Sequence, residues 1–363
     1  MPNTTYFRGR VALAAILRAL GIGAGDEVVL QAFTCVAVPE AVIAVGARAV
    51  WADVVPGGFT MDADSLRRSL TPATRAIVIQ HTYGIPADMG PLMEVAREAG
   101  LPVVEDCCHT YSSRYRSEPV GGFGVASFYS YEWGKPIVAG LGGGVLVNDA
   151  ALLARIIEDY DEYSEPSSLR LARIQATYYA YTLLFRPRIY WQLRSAFHKM
   201  GSAGIIESNY NPVGELLIAS DFHLRMAPSL ERRLKKKLTY EPAITAHSRK
   251  VASIYGSRIQ SEAVVLPTVA PEKEIVYARF PLVAKDKPAL LEAARKANVE
   301  MSSWYSTPVH PLEGASLAQV DYELGSCPNA ESICDSVVTL PTHPGVGPHD
   351  VLRTIRFLNG RNS

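Results

Sequence analysis

Ala126-Ser-Phe-Tyr-Ser130, Tyr131-Glu-Trp-Gly-Lys-Pro136, Gly140-Leu-Gly-Gly-Gly144 and Val145-Leu-Val-Asn-Asp149 lie almost end to end in this chain. They read as a strand, a short turn carrying a single lysine, a glycine-rich turn and a second strand. A lone lysine is ordinarily a solvated surface residue. Lys135 keeps different company: Trp133 and Pro136 stand beside it and the glycines follow, so its amine is expected to be partly desolvated. Desolvation lowers the pKa of an amine, and a neutral amine can form an imine with a carbonyl.

Upstream of this stretch, short apolar runs alternate with amphipathic segments. Strands are expected at Asp26–Leu30, 48–53, Arg75–Gln80 and Pro102–Asp106. Helices are expected over 10–20, over 39–45 with Pro39 in the first turn, after Asp62 or Asp64, and from the cap Asp88 to about Ala99. This alternation implies an α/β fold whose largely parallel sheet is covered on both faces. Ligands of such sheets gather at the carboxyl ends of the strands, which makes polar residues there the candidates.

Two of them stand out. Asp106 closes an apolar strand ahead of Cys107, Cys108 and His109. A buried carboxylate there suits a pyridinium nitrogen, although the same residue could merely cap the next segment. Gly9-Arg10-Val11-Ala12 opens the first helix, whose free N–H groups and positive dipole end suit a phosphate, with Arg10 adding charge. The plainer alternative for Arg10 is a solvated residue in a first turn.

From 151 to 222 the pattern loosens and becomes rich in Tyr, Arg and Leu, as in Tyr178-Tyr-Ala-Tyr-Thr-Leu-Leu-Phe185. It reads as a helical insertion broken at Pro187, used for packing or dimerisation ahead of a membrane-surface helix or a lid. From about 240 a second α/β pattern follows: a long helix, the strand Val276–Val283, a helix near 288–297, and a last helix near 349–358. The expected organisation is a large domain over 1–225, containing the insertion, and a small C-terminal α/β domain over 226–363.

Composition narrows the function. Lys plus Arg equals Asp plus Glu at 36 each, so no net field is available to hold nucleic acid or an anionic membrane, and membrane association is not expected. The run Arg232-Arg-Leu-Lys-Lys-Lys237 reads as a solvated helix face, because Leu234 and Leu238 keep helical spacing. Five cysteines without a CxxC pair suggest reduced thiols in the cytoplasm, with no metal site. Arg18 interrupts the apolar run 11–17, which argues against a signal peptide. A nicotinamide dehydrogenase finds no support, because no GxGxxG links a first strand to a helix.

Together these motifs resemble one family, the DegT-type (StrS-like) sugar aminotransferases of pyridoxal 5'-phosphate (PLP) fold type I. The resemblance is strongest across Leu20–Val28, Ala32-Phe-Thr34, His81-Thr-Tyr-Gly84, Pro86–Met89, Val104–Asp106, Ser130–Lys135 and Gly142–Asp149. It persists through Arg225-Met226, Arg249 with Tyr255, Tyr305–His310 and Leu340-Pro341. It implies a homodimer with shared active sites, and a set of roles. Lys135 would carry the cofactor as a Schiff base and move the proton. Asp106 would hold the ring nitrogen, and His109 would contact the phenolic oxygen. Ser130 and the backbone at Arg10 and Val11 would bind the phosphate, and His223 would reach the phosphate of the neighbouring subunit.

Cys35 stands where relatives commonly stack an aromatic on the ring. Arg10 replaces a Ser or Thr, and the acidic residue often found before the paired glycines is missing at Leu141-Gly142. The function so implied is amino transfer from an amino acid, glutamate first, to a keto sugar or sugar-like acceptor expected to be nucleotide-linked. A PLP-dependent dehydratase or eliminase, and a non-catalytic regulator on the same fold, are the alternatives. Retention of Lys135 and of Asp106 with Ser130 favours transamination.

Overall fold

Side chains alternate along the strands, and this splits the core in two. Val28, Leu30, Val78 and Val104 pack into one buried cluster, while Val29, Ile77, Ile79 and Val103 pack into another on the opposite face. Each such side chain, fully buried, contributes about 2 kcal/mol. They belong to the central sheet of the computed structural model, which describes residues 2–185, 187–202, 206–207 and 220–360.

In chain order the large lobe runs β1 (Thr4–Tyr6), α1 (Gly9–Ala19), β2 (Glu27–Gln31), α2 (Ala37–Ala44), β3 (Arg48–Ala52), α3 (Ala63–Ser69) and β4 (Thr74–Gln80). It continues with α4 (Met89–Ala99), β5 (Val103–Asp106), β6 (Ala126–Ser130), β7 (Gly143–Val147) and α5 (Ala150–Tyr160). The strand order is β1-β7-β6-β5-β4-β2-β3, with β7 antiparallel to both neighbours and the other pairings parallel. Helix α1 is apolar and buried continuously from Val11 to Leu17, with Arg10 and Arg18 at its two ends, as a helix enclosed by the core must be. Asp62 caps α3, accepting the backbone N–H of Ser65 at 2.7 Å. Asp88 sits at the start of α4 as expected, but its carboxylate accepts the Tyr115 hydroxyl and caps no backbone group.

The insertion is helical, with α6 (Ser168–Leu184) and α7 (Tyr190–Ser202) separated by a 3-10 turn that begins at Pro187. Residues 203–205 and 208–219 of the expected insertion lie outside the described residues. Next comes α8 (Pro228–Leu238), whose Leu230 and Leu234 join the large-lobe cluster. Helix α8 thus buries its apolar stripe against the core of the large lobe.

The small lobe comprises α9 (Glu241–Arg258), β8 (Val264–Val265), β9 (Arg279–Ala284), α10 (Lys287–Lys296), α11 (Pro328–Ser336), β10 (Val337–Pro341) and α12 (Pro348–Leu358). Its strands form an antiparallel sheet ordered β8-β9-β10. The strand expected from Val276 begins at Arg279 instead. Val276 donates its N–H to Ser113 Oγ at 2.9 Å and Ala278 donates to the Tyr83 carbonyl at 2.9 Å, so these residues tie the lobes together. A second tie is a two-residue parallel pairing of Thr34–Cys35 with Val309–His310. No helix among the described residues is long and apolar enough to cross a membrane.

The glycine turn is required by a close approach. A Cβ on Gly143 would lie 2.3 Å from the Arg8 carbonyl oxygen, where the chain enters α1. Gly143→Ala must push backbone apart, and is expected to destabilise the protein by about 1–3 kcal/mol. Urea denaturation followed by circular dichroism measures this, and an unchanged midpoint would contradict the packing described.

Candidate active site

Three features of the large lobe converge at the carboxyl edge of β5 and β6. Asp106 ends β5, and Ser130 ends the neighbouring β6. The start of α1 abuts both: a Cβ on Gly9 would lie 3.1 Å from Ser130 Cβ and 3.5 Å from Cys108 Sγ. No side chain caps that helix start. Between them lies a cavity lined by Gly9, Arg10, Cys35, Asp106, Cys108, His109, Ser130, Lys135, Trp304 and others. Of the candidates read from the sequence, Arg10, Cys35, Asp106, His109, Ser130 and Lys135 are thus brought together. The Val11 side chain is in the core instead, leaving only its backbone available to the site. His223 is exposed and outside the cavity, its carbonyl accepting the Ser164 N–H at 3.0 Å.

Asp106 Oδ1 accepts the Cys108 backbone N–H at 2.9 Å. Burial pushes the Asp106 carboxyl up, while that N–H and the nearby positive charge of Lys135 oppose the rise. A carboxylate so placed is short of a cationic partner. His109 is also buried. Its Nδ1 accepts the Tyr83 backbone N–H at 3.1 Å, which puts the proton on Nε2, 3.3 Å from the Tyr305 hydroxyl. Tyr83 achieves this with a left-handed backbone at φ 59°, unusual for a bulky residue and typical of functional loops. Burial, then the charge of Lys135, holds the His109 imidazole well below its usual range.

Arg10 departs from expectation. Its guanidinium is neither solvated nor free for an anion, because it bonds Glu40 at 2.9 Å and Asp221 at 3.1 Å. Arg8 joins the same network, reaching Asp221 at 3.0 Å and both Glu132 and Glu207 at 3.3 Å. Glu132 is part of the turn that carries Lys135, and its carbonyl accepts the Lys135 N–H at 3.3 Å. The network therefore fixes the lysine turn to the start of α1.

Sequence reasoning missed this network, since nothing in the spacing links residue 8 to residues 132, 207 and 221. It also missed Trp304. That ring lies 4.7 Å from the His109 ring and 4.9 Å from Lys135 Nζ, between centroids or from the centroid. The quoted stretch Tyr305–His310 began one residue too late to include it.

The donor set fits a pyridoxal phosphate group: a lysine amine, a buried carboxylate, and an uncapped helix start beside a serine. On this fold such a cavity has the composition of a PLP site. The chain matches the model of the DegT/DnrJ/EryC1/StrS aminotransferase family over residues 4–171 and 222–359, and belongs to that family of PLP-dependent aminotransferases.

Its relatives include the L-glutamine:scyllo-inosose aminotransferase of Streptomyces griseus, 37% identical over 40% of this chain and 35% of the relative. The match thus spans about a third of that protein's length. The UDP-N-acetyl-3-dehydro-alpha-D-glucosamine 3-aminotransferase of Acidithiobacillus ferrooxidans is 26% identical over 95% of this chain and 80% of its own. The fold matches Streptomyces venezuelae DesV, solved in complex with a ketimine intermediate, with a TM-score of 0.75 and 24% identity over 98% of this chain and 84% of that one. A sugar aminotransferase fold from Streptococcus pneumoniae, solved in its PMP form, gives a TM-score of 0.77 at 18% identity over 99% and 87% of the two chains.

The depressed His109 pKa has a direct readout. The ring should stay neutral and protonated on Nε2 through the pH range in which an ordinary histidine titrates. Long-range nitrogen–proton NMR of the imidazole reports both tautomer and charge, and a His109 midpoint near 6.5 would contradict the burial and bonding described.

Proposed function

We propose that this protein is a PLP-dependent aminotransferase, taking an amino group from an amino acid of the glutamate or glutamine type and delivering it to a keto sugar or sugar-like ring. The observation that carries this reading is the convergence of Lys135, Asp106, Ser130 and the uncapped start of α1 in one cavity. The relatives named above act on a keto cyclitol and on a keto sugar carried by a nucleotide, which supports a keto sugar or sugar-like ring as the acceptor here. Such products serve cell-surface polysaccharide or secondary-metabolite synthesis.

When bound, the cofactor supplies an electron sink that stabilises negative charge on the carbon losing its proton. The chain's own residues do the rest. Lys135 would present the amine that holds the cofactor's aldehyde, and its Nζ could take up and return a proton at the substrate carbon. Asp106 keeps a proton on the ring nitrogen. The unpaired N–H groups at the start of α1, with the Ser130 hydroxyl, hold the phosphate. His109, neutral with its proton on Nε2, donates towards the ring's phenolic oxygen. Trp304 supplies an aromatic surface that Cys35 does not.

A homodimer with shared sites follows from the same reading, with the exposed His223 directed to the partner's phosphate. The five free cysteines fit a reducing, cytoplasmic setting.

The visible spectrum of the protein with added PLP, before and after glutamate or glutamine, tests the proposal. An absorbance band is expected that the amino donor bleaches. Lys135→Ala should lack that band and lose turnover while keeping its circular dichroism, and an active Lys135→Ala would overturn the mechanism. Asp106→Asn should slow the single-turnover proton transfer about 100-fold or more. Trp304→Ala should weaken PLP binding by a few-fold to about tenfold, read by equilibrium titration of the band.

A further inference from the structure

The family match leaves out residues 172–221, which take in most of α6 and all of α7. Helix α6 is apolar on two opposite faces. One face is satisfied: Ile174 and Tyr178 are buried, and Tyr181 packs on Trp133 with ring centroids 4.9 Å apart. The other face carries Leu169, Ala172, Ala176, Tyr179, Ala180 and Leu183 at helical spacing, and all of them are exposed. Leu183 is 71% exposed, Leu169 65% and Tyr179 59%. An apolar stripe facing water needs a partner.

Charge says which partner. Residues 168–202 contain no Asp or Glu and six basic residues, Arg170, Arg173, Arg186, Arg188, Arg194 and Lys199, in a chain whose net charge is zero. Arg173, Arg194 and Lys199 have no carboxylate partner among the described residues. Helix α8 extends the basic surface, since Arg232, Lys236 and Lys237 share a groove with Tyr179. A second copy of the chain, set face to face by a two-fold axis, would place like charges together. An anionic surface with an apolar layer beneath it satisfies both features: basic side chains meet the headgroups, and the Leu and Tyr side chains enter the acyl boundary.

We propose that α6, with the basic face of α8 beside it, docks this protein on an anionic lipid bilayer. Sequence alone ranks a lipid-surface helix behind packing or dimerisation; within one chain, packing uses one face of α6 and leaves the other exposed. The inference does not rest on the proposed reaction.

Flotation of the full-length, PLP-loaded protein with vesicles tests it. Vesicles of phosphatidylcholine alone are compared with a mixture of phosphatidylcholine and phosphatidylglycerol at about 7:3. Binding to the mixture is expected to exceed binding to phosphatidylcholine by about tenfold and to weaken with salt. It should fall about tenfold in Tyr179→Glu/Leu183→Glu and in the charge variant Arg232→Glu/Lys236→Glu, with circular dichroism unchanged. The milder Leu183→Ser serves if the double variant fails to fold. Absence of wild-type binding to either vesicle would overturn the proposal. So would binding indifferent to these substitutions, or a wild-type oligomer that the Leu183 variants dissociate, which would make the face a subunit contact.

Discussion

Arg8 stands among three carboxylates with almost no access to water, and the site depends on that arrangement. A buried guanidinium is tolerable only with its partners in place, and removing one partner of such a group typically costs about 3–5 kcal/mol. Here the partners come from distant parts of the chain: the lysine turn at Glu132, and Glu207 and Asp221 in the last part of the insertion. Arg10 and Arg170 are bound into the same carboxylates. The network therefore holds the start of α1, the turn bearing Lys135 and the first part of α6 in one fixed relation. The phosphate-type helix start can stay uncapped because charge, and not a capping side chain, keeps it in position.

Much of the fold was legible, because strand alternation and helical spacing are local signals. The strands ending at Asp106 and Ser130 were placed within a residue or two, and the rule that parallel sheets present ligands at their carboxyl ends then singled out the edge where the cavity lies. What was not legible depends on long-range meetings. The Arg10 side chain looked solvated or phosphate-bound because Asp221, its partner, lies 211 positions away. Trp304 reaches the cavity in the loop just before Val309–His310 pairs with Thr34–Cys35, a register set by tertiary packing. Residues 276–278 have strand composition, but their N–H groups are spent on the large lobe. Helix α8 followed a motif taken for a boundary, although its leucines belong to the first core.

A comparable trade is visible at Glu105, one residue before Asp106. Burial opposes its charge, but the His81 ring and the backbone N–H groups of Gly124 and Gly121 outweigh burial and hold the carboxyl below its usual range. Its two oxygens also hold Phe123 N–H, so one side chain shapes the loop leading into β6. Adjacent carboxylates on one strand thus point to opposite faces with opposite fates. Glu105 is saturated with donors and structural, whereas Asp106 is left short of one and available.

The pairing of Thr34–Cys35 with Val309–His310 also governs when the cavity can exist at all. Its first wall, at Gly9 and Arg10, leaves the ribosome early, while Trp304 and Tyr305 belong to the last sixth of the chain. A nascent large lobe can complete its sheet and bury α1 with the pocket still open on the side of Cys35. Contacts of such sequence separation form late and slowly, because loop closure must precede their reward. Without residues 304–310 the large lobe would present Lys135 with no aromatic wall beside it.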